Sequence, residues 1–325
     1  LAGLGVDLPK EIYTLPSAGG YGNIPAVIVV LLITFILSKG TSSSKLVNNL
    51  MVAAKVGIVI LFIVVGSFYV EPTNWTNNFA PTGFSGVMLA ATTVFFAYLG
   101  FDAISTSAEE TINPEKALPK AIIITMIVCT AFYIIVCLVL TGVVEYFKLG
   151  TGDALAFVLE EVGQNRVAGI VSLGAVIGLM AGILSFIYAG IRITYTIARD
   201  GLLPNNLTKV NKSHVPGTVT WGLGITTAIL AGFLPLGQLA DLANVASIIA
   251  FALVSYTTIV FYKKYPDLKR GFKVPGMPVL PMISIVLFAA LLYSIKLTTW
   301  IIFIVWVIIG IVVYFVFSYK NSKLK

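Results

Sequence analysis

Charge is what this sequence lacks most: only 11% of its 325 residues are Asp, Glu, Lys or Arg, and it contains a single histidine. Soluble globular proteins contain about 25% charged residues, so less than half of the usual charge is available to cover a surface in water. Hydrophobic residues make up 58% of the chain, and the mean hydropathy is +0.97. This composition excludes a soluble fold, a disordered chain and a secreted disulfide scaffold, and it indicates a membrane protein.

The residue clusters of enzymes are absent from the sequence as well. Its two cysteines, Cys129 and Cys137, lie in one apolar run and would be about 12 Å apart on a helix, too far for a disulfide. There is no cluster of metal-ligating residues, no phosphate-binding glycine loop and no nucleophile placed beside a base. We therefore predict no enzymatic activity, no cofactor and no metal.

Long apolar runs are what the sequence does contain. A bilayer core about 30 Å thick requires around 20 apolar residues per helix. Six runs of this length carry no charge, one contains Lys55, one contains Asp102, and one is short but uncharged. We predict an all-α polytopic membrane protein in which residues 1–325 form one transporter domain, with nine spans at 22–38, 46–70, 87–107, 121–144, 167–191, 215–239, 242–262, 274–295 and 297–319.

The positions of the basic residues predict how these spans are oriented. Four of the 21 Lys and Arg residues fall on one side, Lys10, Lys148, Arg166 and Lys296, whereas sixteen fall on the side of the C-terminus and Lys55 lies within a run. Because Lys and Arg concentrate in cytoplasmic loops, we predict a plasma-membrane protein with a cytoplasmic C-terminus. The net charge of +7 then reflects topology, so the partner is the lipid bilayer and no nucleic acid is expected.

Lys55 is one of two charges within the runs, and two interpretations are open. Its long stem could let the ammonium group reach the headgroups, since Lys55 lies about 10 Å from the end of its run at Asn48. Alternatively, it is a buried amine that gains and loses a proton during a transport cycle. A lysine suits the second role, because an arginine would stay charged.

Asp102 is the other charge, and it lies two residues after Gly100. Glycine weakens a helix, and an aspartate can cap the half that restarts, so this pair predicts a helix break. Capping alone is one interpretation. The other is a binding site, because unwound carbonyls inside a membrane persist only where they line a cavity, and there they bind cations or ammonium groups.

The sequence on both sides of this break resembles a known family. Residues 95–114 read FFAYLGFDAISTSAEETINP and are followed by Leu118 and Pro119, and residues 198–204 read ARDGLLP. Both segments are similar to motifs of the cationic amino acid transporter family of the amino acid–polyamine–organocation superfamily. The resemblance extends from about Gly22 to the C-terminus.

The resemblance implies a fold. Members of the family have twelve helices, ten of which form two inverted five-helix repeats in the leucine-transporter arrangement. The nine runs resemble helices four to twelve of that scheme. We therefore expect an N-terminally truncated bundle whose missing first three helices, one with a glycine-rich break for the substrate carboxylate, are its partners. The chain also starts at Leu1 without a signal peptide, so we expect a fragment or a processed chain.

The resemblance also implies a substrate site. The third run corresponds to the family's broken sixth helix, which implies that the backbone carbonyls of Phe96, Ala97 and Leu99, beside Gly100, receive the α-ammonium group of an amino acid.

Three more residues receive roles from the resemblance. Lys55 matches a lysine that, in proton-coupled members, occupies the place of an ion in sodium-coupled relatives. Asp102 matches an aspartate beside the site and implies a gating or pocket role. Phe186 is a candidate for side-chain selectivity.

The implied function is proton-coupled amino acid symport by alternating access. An exchanger of amino acids or polyamines, and a non-transporting amino acid sensor or membrane subunit, remain alternatives. The substrate is open as well, because a cationic side chain requires acidic groups in the pocket and the spans offer only Asp102. Neutral amino acids such as alanine or branched-chain amino acids are therefore equally compatible.

Overall fold

The structure is a computed structural model that describes residues 9–16, 19–40, 45–76, 81–211 and 215–323, with side chains except at 45–48, 106, 107, 109 and 110. Within these residues every regular element is a helix. The α-helices are α1 (Ile24–Ser38), α2 (Lys45–Ser67), α3 (Thr73–Thr76), α4 (Gly83–Tyr98), α5 (Pro114–Val143), α6 (Ala154–Glu161), α7 (Asn165–Arg199), α8 (Gly217–Phe233), α9 (Leu236–Lys264), α10 (Val279–Tyr293), α11 (Leu297–Val313) and α12 (Tyr319–Asn321). A 3₁₀-helix, Phe101–Glu110, follows α4, and a π-helix, Tyr314–Ser318, joins α11 to α12.

Six of the described helical segments are long and apolar enough to cross a membrane: Asn49–Ser67, Gly83–Ser105, Pro114–Val143, Asn165–Arg199, Leu236–Lys264 and Leu297–Asn321. The other three apolar helices, α1, α8 and α10, are 15 or 17 residues long. Each predicted run thus overlaps an apolar helix, and six of these helices have the length of a span. The chain is a multi-pass, all-helical membrane protein.

Several predicted boundaries differ from the structure: α5 begins at Pro114 instead of 121, α7 ends at Arg199 instead of 191, and α8 and α9 are separated at Pro235 instead of at Asp241. The sequence prediction ended one span at 239 and began the next at 242, on either side of Asp241. In the structure α8 ends at Phe233 and α9 begins at Leu236, with Pro235 as its N-cap residue. Proline has no N–H group to donate and its ring obstructs the preceding turn. The boundary therefore follows the proline, and Asp241 lies inside α9.

The chain forms two compact units, and the first comprises the described parts of Leu1–Phe79, Ile127–Arg199 and Pro204–Phe233. Its apolar core has two clusters. One surrounds the fully buried Phe62 of α2 and includes residues of α5, α6 and α7, and the other surrounds Ile33 of α1 and includes residues of α7 and α8. The helix α7, which is 35 residues long, contributes to both clusters.

The second unit comprises the described parts of Ala80–Met126, Asp200–Leu203 and Leu234–Lys325. The helix α9 packs against α4, α10 and α11 within it. This unit therefore holds the predicted break at Gly100, whereas the first unit holds Lys55 and Phe186.

The end of the chain folds onto residues 200–203 in the second unit. The hydroxyl group of Ser318 donates a hydrogen bond to the carbonyl of Leu202 (2.7 Å), and the N–H of Lys323 donates to the carbonyl of Asp200 (3.0 Å). Between these bonds Gly201 has a φ of +83°, and a Cβ atom built there would overlap the backbone carbonyl of Asn321. The close approach therefore requires the glycine of the ARDGLLP segment.

Candidate functional site

The structure contains the break that the sequence predicts. The helix α4 ends at Tyr98, and Leu99 leaves the helix with a ψ of 142°. Gly100 then has a φ of +107°, and the 3₁₀-helix begins at Phe101. Residues with a Cβ atom rarely adopt such a positive φ, so glycine is the residue that allows the chain to turn here. The break falls at residues 99 and 100, at the glycine from which the sequence predicts it.

Asp102 acts on this break differently from the predicted N-cap. Gly100 is the N-cap residue of the 3₁₀-helix, and no side chain caps it. The Oδ1 atom of Asp102 instead accepts a hydrogen bond from the N–H of Gly100 (3.2 Å), and Ser105 donates to the Asp102 carbonyl (2.6 Å). The prediction that Asp102 is the N-cap residue is therefore wrong. Asp102 lies inside the 3₁₀-helix, and its carboxylate stabilises the break by accepting a hydrogen bond from the preceding Gly100.

Four phenylalanines fix the two sides of the break, and sequence reasoning missed them as a group. Phe95 precedes the break and Phe101 follows it, and both contact Phe251 of α9, with ring centroids 6.2 and 5.1 Å apart. Phe288 of α10 lies 6.5 Å from Phe95 and 6.4 Å from Phe251. Phe251 thus joins both halves of the broken helix. The only signal in the sequence was the pair of phenylalanines flanking Gly100.

Replacing Phe251 with alanine is expected to lower the free energy of unfolding by about 2–4 kcal/mol, because each aromatic contact contributes roughly 0.5–1.5 kcal/mol and three contacts are lost. Thermal unfolding of the purified variant in detergent measures this loss. Phe84→Ala is the matched control, since Phe84 lies in α4 with 78% of its surface exposed. Equal effects of the two substitutions would contradict a bridging role for Phe251.

A polar contact attaches α4 to α9 before the break. The side-chain amide of Asn244, which is 1% exposed, donates a hydrogen bond to the carbonyl of Thr92 (2.9 Å). Its Oδ1 atom is buried and has no hydrogen-bond partner among the described residues. A polar contact of this kind between membrane helices is worth about 1 kcal/mol, so it adds to the aromatic contacts that hold the end of α4.

Lys55 lies in the first unit, ten residues after the start of α2. Its half-buried side chain runs along α7, because a Cβ atom built on Gly178 would lie 3.4 Å from both Cγ and Cε of Lys55. One turn later, Ile58 fills the space beside Gly174. Among the described side chains no carboxylate forms an ion pair with Lys55. The two glycines therefore allow α2 and the lysine stem to approach α7 closely.

The other predicted site residues occupy separate places. Phe96 is 40% exposed at the end of α4, and Phe186 is 57% exposed on α7, eight residues after Gly178. The structure therefore groups Phe96, Ala97, Leu99, Gly100 and Asp102 at the break in the second unit, and it places Lys55 and Phe186 in the first. Their roles in binding and coupling stay predictions.

Comparisons with known proteins agree with this architecture. Residues 17–318 match the amino acid permease family. The chain is 46% identical to the methylthioribose transporter and 44% identical to the branched-chain amino acid permease BcaP, both of Bacillus subtilis (strain 168). Each of these alignments covers the whole chain and 71% of the relative.

A more distant relative carries the family name that the motifs suggested. The cationic amino acid transporter 4 of Homo sapiens is 32% identical over 80% of this chain and 42% of its own length. All three relatives are transport proteins and none is an enzyme. The family match and these identities together show that the chain belongs to the amino acid permease family of the amino acid–polyamine–organocation superfamily.

Proposed function

We propose that this protein is a secondary active transporter that couples amino acid uptake to protons and works by alternating access. The observation that carries the proposal is the break between α4 and the 3₁₀-helix, within an apolar segment of span length. Irregular backbone at membrane depth is tolerated where it lines a cavity or contacts other protein groups. The end of a helix also directs its last carbonyls, and the negative end of its dipole, toward that place.

In the proposed site the carbonyls of Phe96, Ala97 and Leu99 receive the α-ammonium group of the substrate. Gly100 leaves the backbone without a side chain, so a ligand can approach it closely. Asp102, held by its hydrogen bond to the N–H of Gly100, gates or lines the pocket. Phe186, which lies in the first unit, stays a separate candidate for the choice of substrate side chain.

A neutral amino acid fits this site better than a cationic one. Between Gly83 and Ser105 the only acidic residue is Asp102, and a buried cationic side chain requires an acidic partner. The branched-chain amino acid permease among the relatives supports a neutral substrate. The relative that is 46% identical to this chain is named a methylthioribose transporter. This favours a second candidate substrate, a thiosugar whose hydroxyl groups donate hydrogen bonds to the same carbonyls.

We further propose that all nine apolar helices cross the plasma membrane as a single transporter domain of the leucine-transporter type. The sixteen basic residues on the side of the C-terminus, against four on the other side, support a cytoplasmic C-terminus. Extracellular access to an introduced cysteine at Lys148 and protection of one at Lys209 test this orientation in intact cells.

Uptake into lipid vesicles tests the proposed function. The full-length protein is purified and reconstituted, an inward proton gradient is imposed, and radiolabelled leucine, lysine and methylthioribose are offered separately. Leucine accumulation that requires the gradient supports neutral amino acid symport. Uptake only after internal loading with amino acid indicates an exchanger, binding without uptake indicates a sensor, and accumulation of methylthioribose alone favours the second candidate. Each of these three results overturns the proposal.

Lys55→Ala is expected to retain substrate binding and to lose gradient-driven accumulation. One pH unit corresponds to about 1.4 kcal/mol, so one proton per substrate supports about tenfold accumulation. The variant should accumulate no more substrate with the gradient than without it. Lys209→Ala, which removes an exposed lysine of a loop, is the control and should behave like the unmodified protein. If the pH dependence of uptake were unchanged in Lys55→Ala, this would instead support the interpretation that the ammonium group of Lys55 reaches the lipid headgroups.

A further inference from the structure

The second unit contains a cavity of about 360 Å³ that is separate from the break in α4. Its lining comes from the first turns of α5 and from the loop between α9 and α10, namely Lys116, Lys120, Ile123, Ile124, Gly271 and Phe272. A Cβ atom built on Gly271 would lie 2.6 Å from Cβ and Oε2 of Glu115. The glycine therefore brings the loop close to α5 and forms one wall of the cavity.

The four α5 residues share one face of the helix, because residues three, four, seven and eight positions apart lie on the same side. Lys116 and Lys120 are near the start of α5, and Ile123 and Ile124 follow further into the span Pro114–Val143. Eight residues of helix are about 12 Å long, so two ammonium groups are followed by an apolar surface within one face. A phospholipid presents the matching order, with a phosphate group at the surface and acyl chains below.

The ammonium groups of Lys116 and Lys120 are available to bind an anion. Both are exposed, and neither forms an ion pair with a carboxylate whose side chain the structure describes. Glu115 is acidic and precedes Lys116, and its carboxylate lies against the backbone of Gly271. Phe272 adds to the apolar part of the cavity lining. The side chains of Ile123 and Ile124 in this lining are 46% and 49% exposed.

The loop between α9 and α10, which contributes Gly271 and Phe272 to the lining, adds further positive charge near the cavity and is held in place by Arg270. Arg270 donates a hydrogen bond to the carbonyl of Tyr265 (2.6 Å) and lies over the ring of Tyr262, 4.0 Å from its centroid. Lys269 and Lys273 line a second cavity of about 730 Å³ together with Asp267 and Arg270. Arg270 therefore organises the loop, while the lysines raise the positive potential around it.

We propose that the cavity beside α5 binds the headgroup of an anionic phospholipid. Lys116 and Lys120 contact the phosphate, and Ile123, Ile124 and Phe272 contact the first part of an acyl chain. Basic pockets between membrane helices are suited to such headgroups, since anionic lipid attracts Lys and Arg near the surface. Inorganic phosphate shares the contact with the lysines but cannot use the apolar wall. The inference concerns this cavity alone and does not depend on the substrate proposed above.

Thermal unfolding in a neutral detergent tests the inference. The protein is titrated separately with dioctanoyl phosphatidylglycerol, dioctanoyl phosphatidylcholine and inorganic phosphate. Phosphatidylglycerol is expected to raise the unfolding midpoint saturably, by about 4 °C at a hundred times its Kd. A shift of the same size with phosphatidylcholine would show that the cavity does not recognise the headgroup. A shift of this size with phosphate would show that the ligand is a soluble anion. Either result, or no shift with phosphatidylglycerol, overturns the inference.

Two lysine-pair variants locate the effect. Lys116→Gln combined with Lys120→Gln is expected to raise the Kd for phosphatidylglycerol about tenfold or more. Lys263→Gln combined with Lys264→Gln removes the same charge at the end of α9, outside the lining of the cavity, and should leave the Kd unchanged. Equal losses in both pairs would indicate nonspecific attraction and overturn the site. If the first pair does not fold, each single substitution is expected to raise the Kd about threefold.

Discussion

Gly100→Ala is expected to reduce substrate uptake by about tenfold while the protein still reaches the membrane. The φ of +107° at this position places an added Cβ atom against the backbone, which costs an L-residue roughly 1–2 kcal/mol. Each 1.4 kcal/mol corresponds to a factor of ten. The chain relieves this strain by rotating Leu99 and Gly100 toward helical angles, and the proposed carbonyl site is then distorted.

The rings of Phe95 and Phe101 make this rearrangement costly. Both contact Phe251, so a straighter helix would separate one of them from α9. We therefore expect the Gly100→Ala protein to lose uptake and to bind substrate more weakly, as seen in equilibrium binding to the purified protein.

Gly222→Ala provides the comparison for this experiment. Gly222 lies within α8, and a Cβ atom built there meets no described atom within 4 Å. Alanine is a better helix former than glycine, so this control should keep full uptake. If the Gly100→Ala protein transported substrate within about twofold of the control, the break would not be the site of binding.

Gly201→Ala is expected to lower the free energy of unfolding by about 2–5 kcal/mol. The left-handed conformation costs an L-residue roughly 1–2 kcal/mol, and overpacking typically costs 1–3 kcal/mol. Here the obstructing atom is the backbone carbonyl of Asn321, which cannot move aside as a side chain can. The terminal segment must therefore lift away, and the hydrogen bonds from Ser318 to Leu202 and from Lys323 to Asp200 weaken with it.

The measurement is the thermal midpoint of the purified protein in detergent, with an expected decrease of about 3–7 °C for a chain of this length. Gly310→Ala in α11 is the control, because a Cβ atom at Gly310 meets no described atom within 4 Å. A midpoint equal to that of the control would mean that the terminal segment does not pack on residues 200–203.

The helices were predictable because their signal is local. A run of about 20 apolar residues has few alternatives to a membrane helix, and each predicted run overlaps an apolar helix. The boundary lies at Pro235 and not at Asp241, because a proline has no N–H group to donate and ends a helix more effectively than a single charge does. Proline acts through the backbone at its own position, whereas a single charge is tolerated within a long helix.

The candidate site was predictable only in part. Gly100 and Asp102 indicate a break by their own chemistry. Which N–H group the Asp102 carboxylate binds depends on backbone angles, and the spacing of residues does not reveal these. The contacts of Phe251 with Phe95 and Phe101 join α9 to α4 and to the 3₁₀-helix, across 156 and 150 positions of the sequence. Such contacts are tertiary, and a single sequence carries no periodic pattern for them.

The length of α7 has a consequence for the first unit. Its 35 residues measure about 52 Å and the uncharged run 167–191 within it about 38 Å, whereas the hydrocarbon layer is roughly 30 Å thick. The uncharged run is several Å longer than this layer, which favours a tilt of α7, and the helix end with Arg192 and Arg199 projects past the headgroups. Because both apolar clusters of the unit attach to α7, its inclination is transmitted to α1, α2 and α8. We therefore expect the thickness of the host bilayer to affect the tilt of α7 and, with it, the packing of the unit that contains Lys55.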